Sequence, residues 1–184
     1  PVDGANADTR NIVRNYNKTV VVQPAYATPD VATIARYKGF QRGKTVAFNT
    51  KKRPGTIIVN TRTNRLYYVL GNGLAVQYPI ASAKPGFEWS GSNKVSRKVK
   101  WPDWRPPAAM RKRSPELPAF MAGGPKNPLG ARAIYLGSTM YRIHGTNAPS
   151  SIGQSASSGC IRMHNADVEE LYQHVKLGAQ VIVL

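Results

Sequence analysis

The clearest pattern in this chain is a set of short runs in which hydrophobic and polar residues alternate, beginning near residue 44. These runs are rich in β-branched and aromatic residues and are separated by Gly, Asn and Pro, which is typical of β-strands joined by tight turns. The pattern predicts four strands, at Thr45–Asn49, Thr56–Asn60, Arg65–Leu70 and Leu74–Ile80. Because the Asn72-Gly73 pair is a strong hairpin signal, we expect an antiparallel meander here.

Later in the chain the strand pattern returns once and then gives way to a helical one. Arg132–Leu136 and Met140–His144 predict a hairpin, in which Arg142 and His144 share one face. Apolar residues then recur at helical spacing after Asn165, the predicted N-cap, and Ala179–Leu184 predicts a buried strand. We therefore expect a mainly β fold, a mixed and sandwich-like sheet with one short C-terminal helix.

Residues 84–130 differ from the rest, because they hold all three tryptophans and most of the prolines. A short strand near Lys94–Trp101 and one helical turn after Pro106-Pro107 are the regular structure expected here. The segment also carries a basic cluster: Lys94, Arg97, Lys98, Lys100, Arg105, Arg111, Lys112 and Arg113. Long excursions from a compact sheet usually serve function, so we expect a lid or groove wall with Trp89 among its substrate contacts. The alternative is a surface loop pinned by its tryptophans.

Residues 1–53 are interpreted as an N-terminal arm that precedes the main domain or packs on it. The first 18 residues are polar and irregular, Thr19–Gln23 is a short β-branched run, and Asp30 is a candidate cap for a brief helix ending by Gly39. The expected organisation is thus an extension over 1–53 and a main domain over 54–184, with 84–130 as its lid or groove region.

The net charge is formally +17, from 26 basic and 9 acidic residues. Such a field steers a protein toward polyanions. Nucleic acid is not favoured, because the chain has no zinc-ligand spacing, basic coiled-coil region or RNP-like aromatic motif. A bacterial cell wall supplies carboxylates and anionic polymers, which fit the charge equally well. The alternative is that the basic surface serves solubility alone.

The strongest candidate for chemistry is the pair formed by Cys160, the one cysteine, and His144 at the end of a predicted strand. A thiolate attacks a carbonyl, and a nearby imidazole can take the thiol proton and return it to a leaving amine. The small residues Ser157-Ser158-Gly159 permit a tight turn that aims backbone N–H groups at an oxyanion. Arg162 shares a side with Cys160 in an extended segment, where its charge favours thiolate or holds a substrate carboxylate. Alternatively, the cysteine is a small core residue.

The order of residues around this pair is more specific than the pair itself. His144-Gly145-Thr146 is followed, after a gap, by Ser157-x-Gly-Cys-Ile-Arg162, and upstream lie Pro54–Val59 and Asn127–Arg132. This order, over about residues 54–184, resembles the L,D-transpeptidase family, the YkuD-type domain that cross-links bacterial peptidoglycan. Many members have histidine directly before Gly-Cys where this chain has Ser158, so the resemblance places the base at His144 alone.

The resemblance implies an L,D-transpeptidase fold and a peptidoglycan reaction. Cys160 would form a thioester with the third residue of a tetrapeptide stem, release D-alanine, and pass the acyl group to an amine of a neighbouring stem or of a protein. Neither cofactor nor metal is expected, and the three histidines lack ligand spacing. The expected site residues are Cys160, His144 and the orienting carbonyl of Gly145 as the catalytic group, Ser157, Ser158 and Gly159 as turn and oxyanion support, and Arg162, Tyr141, Asn127 and Trp89 as substrate contacts. Ser157 or Ser158 is a rival for orienting the imidazole.

Three other functions stay open on the sequence. If water accepts the acyl group, the same site is an L,D-carboxypeptidase. A papain-like or NlpC-like peptidase uses the same residue types, but its cysteine precedes its histidine, and here His144 comes first. A non-catalytic binder of peptidoglycan or nucleic acid would explain the charge without Cys160.

Location and partners follow from the same resemblance. The chain has no run of about 18 apolar residues, so no membrane-spanning helix is expected. It begins at Pro1 with neither a start methionine nor a signal sequence, which indicates a removed signal peptide or a trimmed chain. We expect export to the periplasm or cell wall, with stem peptides and a protein acceptor as partners, no nucleic acid, and a monomeric state. A solitary thiol is compatible with export, because no internal partner can oxidise it.

Overall fold

A computed structural model of the chain describes residues 39–184. The expected strand Thr19–Gln23 and helix from Asp30 lie outside this range. The strands are β1 Lys44–Ala47, β2 Ile57–Asn60, β3 Arg65–Gly71, β4 Leu74–Pro79, β5 Ser82–Ala83, β6 Gly91–Lys100, β7 Arg132–Leu136, β8 Arg142–His144, β9 Ser155–Ser157, β10 Ile161–Arg162 and β11 Gln180–Val183. The helices are α1 Ala108–Arg113 and α2 Asn165–His174, with a 3-10 turn at Pro149–Ser151.

Nine of these strands form one sheet in the order β1-β4-β3-β2-β11-β6-β7-β8-β10, and β5 pairs with β9 in a small second sheet. Most pairs are antiparallel, but β2–β11, β8–β10 and β5–β9 are parallel. The mainly β, mixed-sheet prediction is therefore confirmed. The short turn of helix expected after Pro106-Pro107 is α1, and the expected C-terminal helix is α2.

The meander β2-β3-β4 forms as the alternation predicts. Its β3–β4 turn has Asn72 and Gly73 both at positive φ, 51° and 72°, which is the backbone of a type I′ hairpin turn. Alternate residues of these strands face two hydrophobic clusters. Ile57 and its same-face neighbours join the main core, whereas Ile58 packs in a smaller cluster on the opposite face. Both faces of this part of the sheet are thus covered.

Strand β11 lies at the centre of the sheet and joins its two halves. It pairs in parallel with β2 of the meander and antiparallel with β6. Val181 and Val183 are 0% and 2% exposed and pack on one face into the main core, whereas Gln180 and Ile182 on the other face are partly buried. The two halves therefore share one continuous core.

Helix α2 covers the main core with Val168, Leu171 and Val175. Its N-cap residue is His164, so the expectation that Asn165 caps the helix is wrong. Asn165 is instead the first helical residue, and its side chain bonds to a different part of the chain, as described below.

The opposite side of α2 holds the segment that leads into β1. The carboxylate of Glu170 accepts backbone hydrogen bonds from Gln41, Arg42 and Gly43 at 2.5, 2.9 and 3.0 Å, and a fourth from the Tyr78 hydroxyl at 2.8 Å. Although burial would raise it, these hydrogen bonds hold the pKa of Glu170 below its usual value. The charged carboxylate therefore ties residues 41–43 to the domain.

We expect Glu170→Gln to lower the free energy of unfolding at pH 7 by about 2–3 kcal/mol, because charge-assisted hydrogen bonds to buried groups are lost. Urea unfolding followed by tryptophan fluorescence measures the change. Glu169→Gln is the matched control on the same helix, since Glu169 makes a partly exposed ion pair with Arg132 at 3.2 Å and should change stability by about 0–1 kcal/mol. Equal losses in the two variants would contradict this role for Glu170.

Candidate active site

The edge of the sheet brings the sequence-predicted cysteine and histidine to the same face. Strands β8 and β10 run in parallel, with Ile143 opposite Ile161 and His144 opposite Arg162. Both isoleucines are buried in the main core, so the residues that alternate with them point to the other side. Four of those residues line one cavity of about 220 Å³, namely Arg142, His144, Cys160 and Arg162.

The remaining cavity wall comes largely from residues within 84–130. Side chains of Trp104, Pro107, Met110 and Leu117 line it from the excursion that contains α1. These groups are mostly apolar, whereas the sheet side is cationic. The cavity therefore has one apolar wall and one wall that carries the thiol, the imidazole and two guanidinium groups.

A larger cleft lies elsewhere on the molecule. It has a volume of about 910 Å³ and is bounded by the starts of β2 and β11, by β6 and by the connection after α2. Its cations are Arg53, Lys94 and Lys176, and neither a cysteine nor a histidine is among the described residues that line it. Because the reactive side chains lie in the smaller cavity, that cavity is the candidate active site.

The thiol of Cys160 is partly exposed, and its sulfur lies 3.9 Å from Arg142 Nη1 and 3.9 Å from the Met140 carbonyl oxygen. The preceding turn is fixed by Ser157, whose hydroxyl donates to the Cys160 carbonyl and accepts from the Gly159 N–H at 3.2 Å. Gly159 has φ of +108°, which favours glycine. The Gly159 N–H is thus bonded within the turn, and the oxyanion role expected of the backbone N–H groups here stays a prediction. Ser158 lines the cavity beside the sulfur.

Two aromatic side chains, those of Trp89 and Tyr141, pack against the turn before Cys160. The rings of Trp89 and Tyr141 stack at 4.3 Å and 9°, and Trp89 Nε1 donates to the Gly159 carbonyl at 2.7 Å. A Cβ atom on Gly159 would lie 2.7 Å from the Tyr141 ring. Tyr141 also lines the cavity, whereas Trp89 is not among its lining residues. Trp89 is thus placed to hold the cysteine turn rather than to touch a ligand in the cavity.

The imidazole of His144 is 4% exposed and its Nδ1 lies 2.6 Å from the Gly145 carbonyl oxygen. A proton on Nδ1 that donates to this carbonyl makes Nε2 the basic nitrogen of the ring. The backbone of Leu129 also bonds to the imidazole and, like that of Gly145, acts to raise its pKa. Burial lowers the pKa of His144 to about 3, and the charges of Arg162 and Arg142 add to the effect, against the Gly145 hydrogen bond. The imidazole is therefore neutral at pH 7.

Asn165 fixes the backbone around this histidine. Its Oδ1 accepts from the N–H groups of Ala131 and Thr146 at 3.0 and 3.1 Å, and its Nδ2 donates to the Thr146 carbonyl at 3.0 Å. A Cβ atom at Gly145 or Gly130 would lie 2.1 or 2.2 Å from Oδ1, so both positions need glycine. The helical periodicity predicts only that Asn165 caps α2, and no local pattern indicates this other role.

Asn127 and Arg162 differ in their access to the cavity. Asn127 is 1% exposed, and its Nδ2 donates to three backbone carbonyls while its Oδ1 accepts from Leu129 N–H. It is not among the residues that line the cavity, so it is placed to shape the loop before β7. Arg162 does line the cavity. Burial lowers the pKa of its guanidinium, and the electrostatic interaction with Cys160 acts to raise it.

Two further features concern the whole described range. Within residues 39–184, no group of three His, Cys, Asp or Glu side chains is arranged to hold a metal ion. No helix in this same range has the length and apolar character needed to cross a membrane.

Comparison with known proteins identifies the family. A family model described as the L,D-transpeptidase catalytic domain, YkuD, matches residues 54–183. The chain is 40% identical over 135 residues to the probable L,D-transpeptidase ErfK/SrfK of Escherichia coli K12, an alignment that covers 70% of this chain and 43% of that protein. The chain therefore spans less than half the length of this curated relative.

Solved structures share the fold. A Brucella melitensis protein named a probable carnitine operon oxidoreductase is 44% identical, with a TM-score of 0.53 over 78% of this chain and 94% of that one. L,D-transpeptidase 3 from Mycobacterium tuberculosis has a TM-score of 0.55 at 16% identity, covering 70% of this chain and 60% of that one. With the family model covering most of its length and the cysteine and histidine in one cavity, the chain belongs to the L,D-transpeptidase family.

Proposed function

We propose that this chain is a peptidoglycan L,D-transpeptidase in which Cys160 is the nucleophile and His144 the base. The observation that carries the proposal is that the partly exposed sulfur and the imidazole line the same open cavity. The family assignment supplies the substrate class, the stem peptides of the bacterial cell wall. The reaction needs groups that the cavity contains: a nucleophile, a proton acceptor and cations for an anionic substrate.

In the first half-reaction, Cys160 attacks the carbonyl between the third residue of a tetrapeptide stem and its terminal D-alanine. The S–C bond forms as the C–N bond breaks, and the thiol proton passes through His144 to the departing amine. Because burial and two nearby arginines disfavour imidazolium, the proton is given up readily to that amine. The products are a thioester on Cys160 and free D-alanine.

In the second half-reaction, an amine attacks the thioester carbonyl. The amine loses a proton through His144 to the departing sulfur, so the thiol is regenerated and a new amide bond forms. A side-chain amine on a neighbouring stem gives an L,D cross-link, and a protein amine attaches that protein to the wall. Water would give the L,D-carboxypeptidase reaction instead. The acceptor is set by the open side of the cavity, where the apolar wall from Trp104 to Leu117 faces the sulfur.

Roles for the other predicted residues follow from their contacts. We assign Gly145 to orienting His144 through its carbonyl, and Ser157 and Gly159 to shaping the turn before the sulfur. Arg162 and Tyr141 line the cavity and are proposed substrate contacts, whereas Asn127 and Trp89 are proposed to hold its loops. No cofactor enters these steps.

We further propose that residues 54–184 are the catalytic domain, acting as a monomer, and that residues 1–53 extend it. Strand β1 lies in this extension and pairs with β4, so at least residues 44–47 pack on the domain. The charge of +17 favours the periplasm or cell wall, where anionic polymers surround the substrate.

The direct test uses a purified disaccharide-tetrapeptide as donor. The folded protein should release D-alanine, and intact-mass measurement should show a thioester adduct equal to the stem minus D-alanine. Adding a second stem should convert the adduct to a cross-linked dimer, whereas appearance of the free tripeptide alone would identify a carboxypeptidase. Binding to wall material without any D-alanine release would refute the enzyme proposal and leave a binding module.

A further inference from the structure

Two guanidinium groups face the active-site cavity without a counterion. Arg142 and Arg162 both line it, and none of the lining residues within the described 39–184 range is acidic. The ion pairs found in this range involve Arg42, Arg105 and Arg132 instead. The cavity therefore carries two positive charges that no acidic side chain of residues 39–184 neutralises.

Arg142 is the more unusual of the two. Its Nε is buried, and no acceptor in residues 39–184 bonds to it. Its guanidinium lies 5.2 Å from the centre of the Tyr135 ring, and its Nη1 lies 3.9 Å from the sulfur of Cys160. Leaving a buried N–H donor without an acceptor is unfavourable, so this partly buried guanidinium is expected to receive an anion when the site is filled.

The position of Arg142 beside the sulfur limits which anion it can reach. A carboxylate one residue beyond the scissile carbonyl lies within about 4–6 Å of that carbonyl carbon, given ordinary backbone dimensions. The carbonyl carbon bonds to Cys160, so this carboxylate lies at the distance of the Arg142 guanidinium. A carboxylate further along the donor would lie outside this reach.

We propose that Arg142 binds the free carboxylate of the donor's leaving residue and thereby selects donors that end one residue after the scissile bond. This inference rests on the proposed transpeptidase function and assigns a specificity-determining residue to it. The planar guanidinium suits a carboxylate, which accepts two parallel hydrogen bonds from it. A donor with an amide at this position offers no negative charge and leaves Arg142 unpaired.

Binding at Arg142 would also affect the base. Burial chiefly lowers the pKa of His144, and the positive charges of Arg162 and Arg142 lower it further. A bound carboxylate offsets these charges, so the imidazole becomes a better proton acceptor once a correct donor occupies the cavity.

The test compares two donors that differ only at the C-terminus, a stem tetrapeptide ending in D-alanine and the same peptide ending in D-alaninamide. The measured quantity is the rate of thioester formation with each donor, by intact mass. The wild-type protein should prefer the acid by about 10- to 100-fold, the usual value of a charge-assisted hydrogen bond. Arg142→Gln should lose most of this preference, which is read as the ratio of the acid and amide rates within one variant, whereas Arg142→Lys should retain part of it.

Arg97→Gln is the matched control, because Arg97 lies over the same Tyr135 ring at 4.0 Å but is not among the residues lining the cavity. It should keep the full preference for the acid. If Arg142→Gln keeps the wild-type ratio, or slows both donors equally, the inference is wrong while the transpeptidase proposal stands. If the wild-type protein acylates with neither donor, the proposed function itself fails.

Discussion

Replacing Cys160 with alanine is expected to abolish release of D-alanine from a tetrapeptide stem, with a rate at least about 10³-fold below that of the wild-type protein. Ser157 and Ser158 also line the cavity, but an unactivated hydroxyl is a much weaker nucleophile than a thiol. Ser157 is 1% exposed and its hydroxyl is bonded to the Cys160 carbonyl, so it is not free to attack. Chromatography of released D-alanine measures the loss.

The same variant separates catalysis from binding. Cys160→Ala should still associate with isolated cell wall, because the basic surface is unchanged. A carbapenem resembles the acyl donor of this family and should add once to the wild-type protein and not at all to the variant. Met140→Leu is the control, since it replaces one apolar residue of the cavity with another and keeps the backbone carbonyl that lies 3.9 Å from the sulfur. Stem exchange by Cys160→Ala would exclude the thioester route.

The second large effect concerns His144 and acid. The pKa of His144 is lowered by burial to about 3 in the folded protein, whereas an unfolded histidine has a pKa of about 6.5. Between these values the unfolded chain binds a proton that the folded protein does not. The free energy of unfolding should therefore fall as pH decreases from about 6.5 to about 3, by up to ~1.4 kcal/mol per pH unit. Below about pH 3, His144 is protonated in both states and contributes no further change.

His144→Gln should flatten the dependence of unfolding free energy on pH across this window, as measured by urea unfolding at a series of pH values. It should also slow acyl transfer by about 10²- to 10⁴-fold at pH 7, because the proton acceptor is lost. Ile143→Val, one position earlier in β8, is the control. It should lower stability by about 1 kcal/mol at every pH and leave the slope unchanged. Parallel curves for His144→Gln and the wild-type protein would show that the buried imidazole is not responsible.

The elements that the sequence predicts well are those decided by local alternation. Arg132–Leu136 is β7 with the same bounds, because every second side chain there enters the core. The hydrophobic run after Gly178 predicts a buried strand, and β11 is central in the sheet. The candidate pair His144 and Cys160 could also be found from residue types and their order, since the chemistry needs both.

What the sequence does not reveal depends on contacts between distant segments. Asn165 precedes apolar residues at helical spacing, which predicts that it caps α2, yet its side-chain amide bonds to the backbone of Ala131 and Thr146. Glu170 has the position of an ordinary helical glutamate, and only the fold brings residues 41–43 to its carboxylate. Trp89 likewise reaches Gly159 from far along the chain. Local periodicity carries no information about such pairings.

The central position of β11 bears on how the nascent chain folds. Strand β2 must leave the edge it shares with β11 unpaired until residues 180–183 have been synthesised, and β6 faces the same delay. The meander β2-β3-β4 can pair within itself earlier, but the two halves of the sheet join only when β11 is available. The nine-stranded sheet is therefore completed late in synthesis, by the last strand of the described chain.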